Sequence, residues 1–405
     1  MNRTATRLTA CLLVAALTVL PGLAGGVAAP AGGGGVAESA TGPAAAAAPA
    51  AAAGVQGACS FPTNVTDATN TTVTIEERPE RVVVLGASAA QTVWEVGAAD
   101  RVVGIDAFST YLEGAGEVPV VSQGYNAIDY EAALSQNPDL VIVDGNSYSS
   151  NPVSEFRSAN VTTVKLADAG SLGGIYNKTH TVGRLLGACD AANRTVASMR
   201  EQVETVEAAV ASVDERPSLY YGYGRTGRWS AGPGSFIHDL ITTAGAHNVV
   251  VENYSTPFPQ VSGEFIVEQD PQWLLTTYNP AMGENASNPR ALLPNSDAIN
   301  QTQAYEAGNV IAVNVNYLNQ PAPRVVRPLA TIAKTLHPEA YAAANATTTA
   351  APTTESTATS DAATSTAPPA TTGDGGDGGS IPGFGPAAAL AGLAAAGALA
   401  RRRAA

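Results

Sequence analysis

The chain has 405 residues, 45% of them hydrophobic, and 35 acidic residues against 21 Lys and Arg give a formal net charge of −14. Its three lysines, Lys165, Lys178 and Lys334, leave little to attract phosphate backbones, which argues against nucleic acid as a partner. The same acidic balance suits a protein kept soluble in high salt.

In chain order, residues 1–29 have the layout of a secretory signal peptide: Arg3 and Arg7, an apolar run from Leu8 to Leu20, then small residues around Val27–Ala29. Cys11 lies inside that run and is expected to leave with it. Residues 30–58 are nearly all Ala, Gly and Pro, too poor in bulky apolar side chains to offset chain entropy, and read as a linker. A first lobe is expected over 59–177. Val82–Leu85 reads as a buried strand, Gly86–Ser88 as a turn into a helix ending near Val96, and Val102–Val103 as the start of the next strand.

Residues 178–213 lack proline, and Val196, Met199, Val203, Val206, Val210 and Val213 recur at spacings of three and four. That periodicity predicts one long helix, roughly 50 Å if continuous, joining the first lobe to a second over 214–342. In the second lobe Leu219–Tyr221 reads as a strand, Ser235–Ala244 as a helix with Ser235 as its cap, and Val249–Val251 as the next strand.

One phrase occurs in both lobes. Glu131 runs through Gln136-Asn137-Pro138 into the apolar Leu140–Val143, and Glu264 runs through Gln269-Asp270-Pro271 into Trp273–Leu275. Each copy predicts a short helix, an Asn/Asp-Pro turn and a buried strand, so two similar α/β lobes are expected with a cleft between them. Beyond residue 342 the composition turns to Thr, Ser, Ala and Pro, predicting a stalk over 343–380 of the kind that carries O-glycans. Nine Asn-x-Ser/Thr sequons beyond the signal fit an exported, glycosylated surface. Cys59 and Cys189 are the two cysteines of the exported part, so one disulfide at most can form.

Residues 381–405 place Pro382, Gly383 and Phe384 before an Ala/Leu-rich apolar stretch and Arg401–Arg403. This order resembles the archaeal PGF-CTERM sorting signal. The resemblance implies a haloarchaeal protein processed by an archaeosortase and anchored to the outer face of the cell membrane; a plain tail anchor would leave it on the same face.

Two Rossmann-like α/β lobes, each with a small mostly parallel sheet and joined by one long helix, resemble the class III substrate-binding proteins of ABC importers, which serve cobalamin, ferric siderophores and haem. The stretches carrying the likeness are Arg81–Leu85, Pro138–Val141, Pro257–Glu264 and Pro321–Val325. The resemblance implies that Glu131 and Glu264 dock onto arginines of the permease and, through it, serve its ATPase. It implies a monomer that is not an enzyme and needs no cofactor, its cargo being cobalamin or a ferric chelate. Loops after the strands should line the cleft, with Phe108, Tyr111 and Tyr125 from the first lobe and Tyr223, Arg225, Arg228, Trp229 and Phe258 from the second, then Tyr317 and Arg324. Pro257–Ser262 and the aromatics at Phe108, Trp229 and Phe258 are most similar to cobalamin-binding members. Asp144 departs from that pattern, where an aromatic is expected, and a residue is inserted near Tyr125. The three arginines would instead suit an anionic siderophore or haem.

Gly222, Gly224 and Gly227 form G-x-G-x-x-G, but Gly232-Pro233-Gly234 delays the following helix and weakens a dinucleotide reading. The histidines have no metal-ligand spacing. No G-x-S-x-G surrounds a serine, leaving an anchored hydrolase as the outlying alternative.

Overall fold

The computed structural model describes residues 59–124, 127–145, 151–211 and 213–349. The signal peptide, the linker, Tyr125, most of the stalk and the Pro382-Gly383-Phe384 tail lie outside the described residues.

Two parallel sheets organise the chain. In the first, β3 (Val82–Leu85), β4 (Val102–Asp106), β5 (Val120–Ser122), β6 (Leu140–Val143) and β7 (Thr163–Lys165) take the order β5-β4-β3-β6-β7; a hairpin of β1 (Thr63–Thr66) and β2 (Thr72–Ile75) precedes them. In the second, β8 (Ser218–Tyr221), β9 (His247–Asn248), β10 (Trp273–Tyr278) and β11 (Val310–Asn314) take the order β11-β10-β8-β9. All neighbours in both sheets run parallel. The central strands β3 and β6 are buried along their whole length, as continuous apolar runs covered by helices should be.

The repeated phrase is repeated in three dimensions. Tyr130–Ser135 is a helix capped by Asp129, whose carboxylate accepts from Ala132 N; Gly263–Gln269 is a helix capped by Ser262, whose hydroxyl accepts from Phe265 N. Asn137 (φ 48°) and Asp270 (φ 37°) then take the left-handed conformation before the proline. Asn and Asp adopt it more readily than most residues, which is why they can turn the chain into β6 and β10 at the same step.

The segment 178–213 is not one helix. A helix over Leu172–Leu185 ends in a Schellman motif, with Ala188 N donating to Gly183 O (2.7 Å) and Gly187 at φ 61°, and a new helix runs Cys189–Ala211. The connecting helix therefore has 23 residues, roughly 35 Å, with Val196, Met199, Val203, Val206 and Val210 buried and Val213 beyond its end. The two helices pack closely because Gly183 lacks the Cβ that would meet Ala192. Cys59 and Cys189 form a disulfide that pins the start of the folded region to the first turn of the connecting helix.

Two smaller expectations change. Val249–Val251 is a single 3-10 turn rather than a strand, because the buried Asn248 side chain accepts from Val250 N and donates to Ala231 O, ending β9 early. The last helix, Pro338–Thr349, extends past residue 342 into the Thr/Ala-rich composition and packs on the connecting helix.

Candidate functional site: an aromatic cleft between two lobes

In parallel α/β sheets the loops that follow the strands carry the binding groups. After β4, a single turn over Ala107–Ser109 exposes Phe108; the buried Asp106 sets that turn by accepting from Gly86 N (2.8 Å) and Ser109 Oγ (2.6 Å).

The second lobe builds its surface differently. Tyr223 and Trp229 exchange backbone hydrogen bonds (2.8 and 3.3 Å) across a tight loop in which Gly224 and Gly227 have positive φ. The G-x-G-x-x-G stretch is thus a hairpin loop. Trp229 also pairs with Gln260, and the pairing continues through Ser230 N to Pro259 O and Gly232 N to Pro257 O. Pro257–Val261 stands where β5 stands in the first lobe, just before the Glu-bearing helix, but it bonds to Arg228–Gly232 instead of to β9. Strand alternation puts Tyr223, Trp229 and Phe258 on one face of this ribbon. Phe108, Tyr223, Trp229 and Phe258 are 46, 51, 48 and 51% exposed, an unusual amount of aromatic surface to leave in water.

The remaining expected ligand residues are placed as follows. Arg225 is exposed at the tip of the hairpin loop, and Arg228 donates from Nε to Val261 O (2.7 Å), holding the ribbon. Arg324 does not point a free charge at the cleft: its Nε meets Glu95 Oε1 at 2.6 Å, tying the second lobe to the helix Ala87–Glu95 of the first. Tyr317 lies against Arg324 and Arg327, with its hydroxyl accepting from Arg327 (3.2 Å). Tyr111 is partly buried, its hydroxyl accepting from Gln91 Nε2 (2.7 Å), and burial pushes its pKa up to about 12. Gln91 in turn donates to Asn316 O and accepts from Arg324 N, both at 3.0 Å. Tyr111, Tyr317 and Arg324 therefore belong to the junction between the lobes, not to the aromatic surface.

Asp144 is fully buried at the end of β6, where its carboxylate accepts from Ser88 Oγ (2.7 Å) and meets Lys178 Nζ at 3.5 Å; Lys178 also donates to Ser88 (2.7 Å). Burial pushes the Lys178 ammonium below the usual lysine range, and Asp144 opposes that shift. Asp106, Ser88, Lys178, Gln91 and Glu95 were missed as positioning residues. An Asp closing an otherwise apolar strand was the one signal available for Asp106 and Asp144.

Glu131 and Glu264 are both exposed, each the second residue of its helix, and neither has an ion-pair partner among the described residues. Helices in parallel units begin at the end of the sheet where the strands finish, so both carboxylates stand on the rim that carries the aromatic loops. No group of acidic, His or Cys side chains suited to a metal ion occurs among the described residues.

The periplasmic binding protein family model matches residues 82–316, which span both sheets. The chain belongs to the periplasmic binding protein family. Members of this family are binding proteins rather than enzymes. This periplasmic binding protein is 44% identical over 348 residues to the cobalamin-binding protein of Halobacterium salinarum (strain ATCC 29341 / DSM 671 / R1), covering 85% of this chain and 90% of that one. Two solved structures share the fold: the apo periplasmic heme-binding protein RhuT from Roseiflexus sp. RS-1 (TM-score 0.57, 24% identity, 64% of this chain and 99% of that) and the vitamin B12-binding protein BtuF of Vibrio cholerae (TM-score 0.54, 19% identity, 66% and 98%). A PGF-CTERM motif model matches residues 381–403.

Proposed function

We propose that this chain captures a corrinoid such as cobalamin outside the cell and delivers it to an ABC permease, whose ATPase is an indirect partner. The observation that carries the ligand is the aromatic ribbon Tyr223–Trp229–Phe258, complemented by Phe108 on the other lobe. Such a surface suits a large, flat and weakly charged molecule, because aromatic faces bury much area with few rotors. Anionic siderophores and haem fit less well: Arg324 is already neutralised by Glu95, which leaves Arg225 and the outer nitrogens of Arg228 for a ligand's carboxylates. The name of the Halobacterium relative supports the same ligand. Glu131 and Glu264 are the permease contacts in this reading, and the PGF-CTERM tail is the signal that an archaeosortase cleaves and replaces with a lipid, which holds the chain as a monomer on the outer face of the cell membrane.

The test is to titrate the mature protein in molar KCl with cyanocobalamin, haemin and a ferric siderophore while following tryptophan fluorescence. Saturable quenching by cyanocobalamin is expected, with Trp229→Ala weakening binding by about tenfold or more, as loss of an aromatic anchor does. Binding of haemin or the siderophore in place of cyanocobalamin would overturn the ligand assignment.

A further inference from the structure

An open cavity of about 440 Å³, with Arg194, Ser198, Gln202 and Arg327 exposed along it, lies beside the junction of the lobes and is lined by none of the four exposed aromatics. Its walls come from three elements. One face of the connecting helix contributes Arg194, Thr195, Ser198 and Gln202; the start of the helix Val326–Leu336 contributes Arg327 and, just before it, Arg324; the end of the helix Ala87–Glu95 contributes Glu95. That last helix starts at the cleft end of β3, so Glu95 lies roughly 13 Å along it from the cleft floor.

The charge of this lining is out of keeping with the rest of the chain. Three guanidiniums against one carboxylate give a local balance of +2 in a protein of net −14. Arg324 is paired with Glu95 and Arg327 with the Tyr317 ring and hydroxyl. The exposed Arg194 guanidinium has no hydrogen bond, ion pair or ring partner among the described residues; beside it on the same wall the Thr195 hydroxyl is already donated to Glu95 O (2.9 Å), which leaves the Ser198 hydroxyl to donate.

We infer that this cavity is a binding site for a small polyvalent oxyanion, separate from the corrinoid cleft. The planar forks of Arg194 and Arg327 match carboxylate or phosphate oxygens bidentately, and Ser198 supplies a neutral donor. The volume is within the range of small-molecule sites and admits a tricarboxylate or a pyrophosphate. The acidic surface does not forbid such a guest: in about 1 M salt fields are screened over about 3 Å, so groups in direct contact decide the energy. A bound anion also competes with Glu95 for Arg324, so occupancy would loosen one tie between the lobes.

Calorimetric titration of the mature protein with citrate and with pyrophosphate, in molar KCl, tests the site and separates the two oxyanion chemistries. Saturable one-to-one binding of at least one of them is expected. It should weaken about tenfold or more in Arg194→Gln, the loss expected of a charged hydrogen-bonding partner. Arg225→Gln, in the aromatic cleft loop, should leave it unchanged, and cyanocobalamin affinity should be the same in wild type and Arg194→Gln, which also reports that the variant is folded. Absence of saturable binding by either anion, or equal binding in Arg194→Gln, would overturn the inference.

Discussion

At the scale of single residues, the least expected feature is a buried ion pair under the cleft floor. Lys178 is fully buried with Asp144 and Ser88, and burying two charges costs several kcal/mol that their attraction and hydrogen bonds must offset. The pair contributes through not being broken. Lys178→Ala removes the ammonium from beside a buried carboxylate and is expected to destabilise the fold by about 3–5 kcal/mol, read as a fall in thermal midpoint. Replacing both partners with apolar side chains of similar size, as in Lys178→Met with Asp144→Leu, should recover much of that loss. A double variant no more stable than Lys178→Ala would show that the pair does not act as a unit. Asp144 was visible in the sequence as the residue that breaks the aromatic pattern, but its partners lie in two other elements, 56 and, for Ser88 to Lys178, 90 positions apart.

Among the elements, the hairpin β1–β2 shows how one carboxylate can attach a peripheral piece to a lobe. Burial raises the Asp67 pKa, but hydrogen bonds from the Thr69 hydroxyl (2.6 Å) and from the amides of Lys165, Thr69 and Thr71 outweigh it and hold the group below the usual carboxylate range. Arg157 closes the arrangement at 2.7 Å. A carboxylate depressed in the folded state stabilises fully above its unfolded pKa of about 3.9 and loses that contribution as pH falls through its folded value. The difference in thermal midpoint between wild type and Asp67→Asn should therefore be full at neutral pH and shrink progressively below about pH 4; a difference independent of pH would assign the effect to geometry alone. Legibility from sequence followed the same division between local and distant causes. The Glu-to-Pro phrase, the helix cap at Ser235 and the apolar strands depend on neighbours in the chain and could be read. The break at Gly187 was hidden because a valine periodicity dominated the segment, although the glycine itself was the stop signal. The ribbon that presents Trp229 and Phe258 rests on pairing between residues about thirty positions apart, and the pairing of Arg324 with Glu95, 229 positions away, has no signal in the local sequence.

At the scale of the molecule, the two lobes are held by more than the connecting helix. Gln91 bonds to both Asn316 and Arg324, Glu95 pairs with Arg324, and Leu172 N donates to Asp239 (2.7 Å) across the junction. Ties of this kind oppose a change in the separation of the two rims. Glu131 and Glu264 sit on those rims at equivalent places in the repeated unit, so a rigid body presents them as a fixed pair. If they engage two arginines of one permease, binding at the first places the second at high effective concentration, and losing either contact forfeits that gain. Glu131→Arg and Glu264→Arg should each lower corrinoid uptake by about tenfold or more, since a like charge set against a guanidinium repels as well as failing to pair. The double variant should be worse than either single one, because the contact that each single variant keeps is then lost as well. Cyanocobalamin affinity of the purified variants should match wild type, because neither carboxylate belongs to the aromatic surface. Reduced affinity would move these glutamates from the docking rim into the ligand site, and unchanged uptake in both single variants would remove them from the transport step altogether.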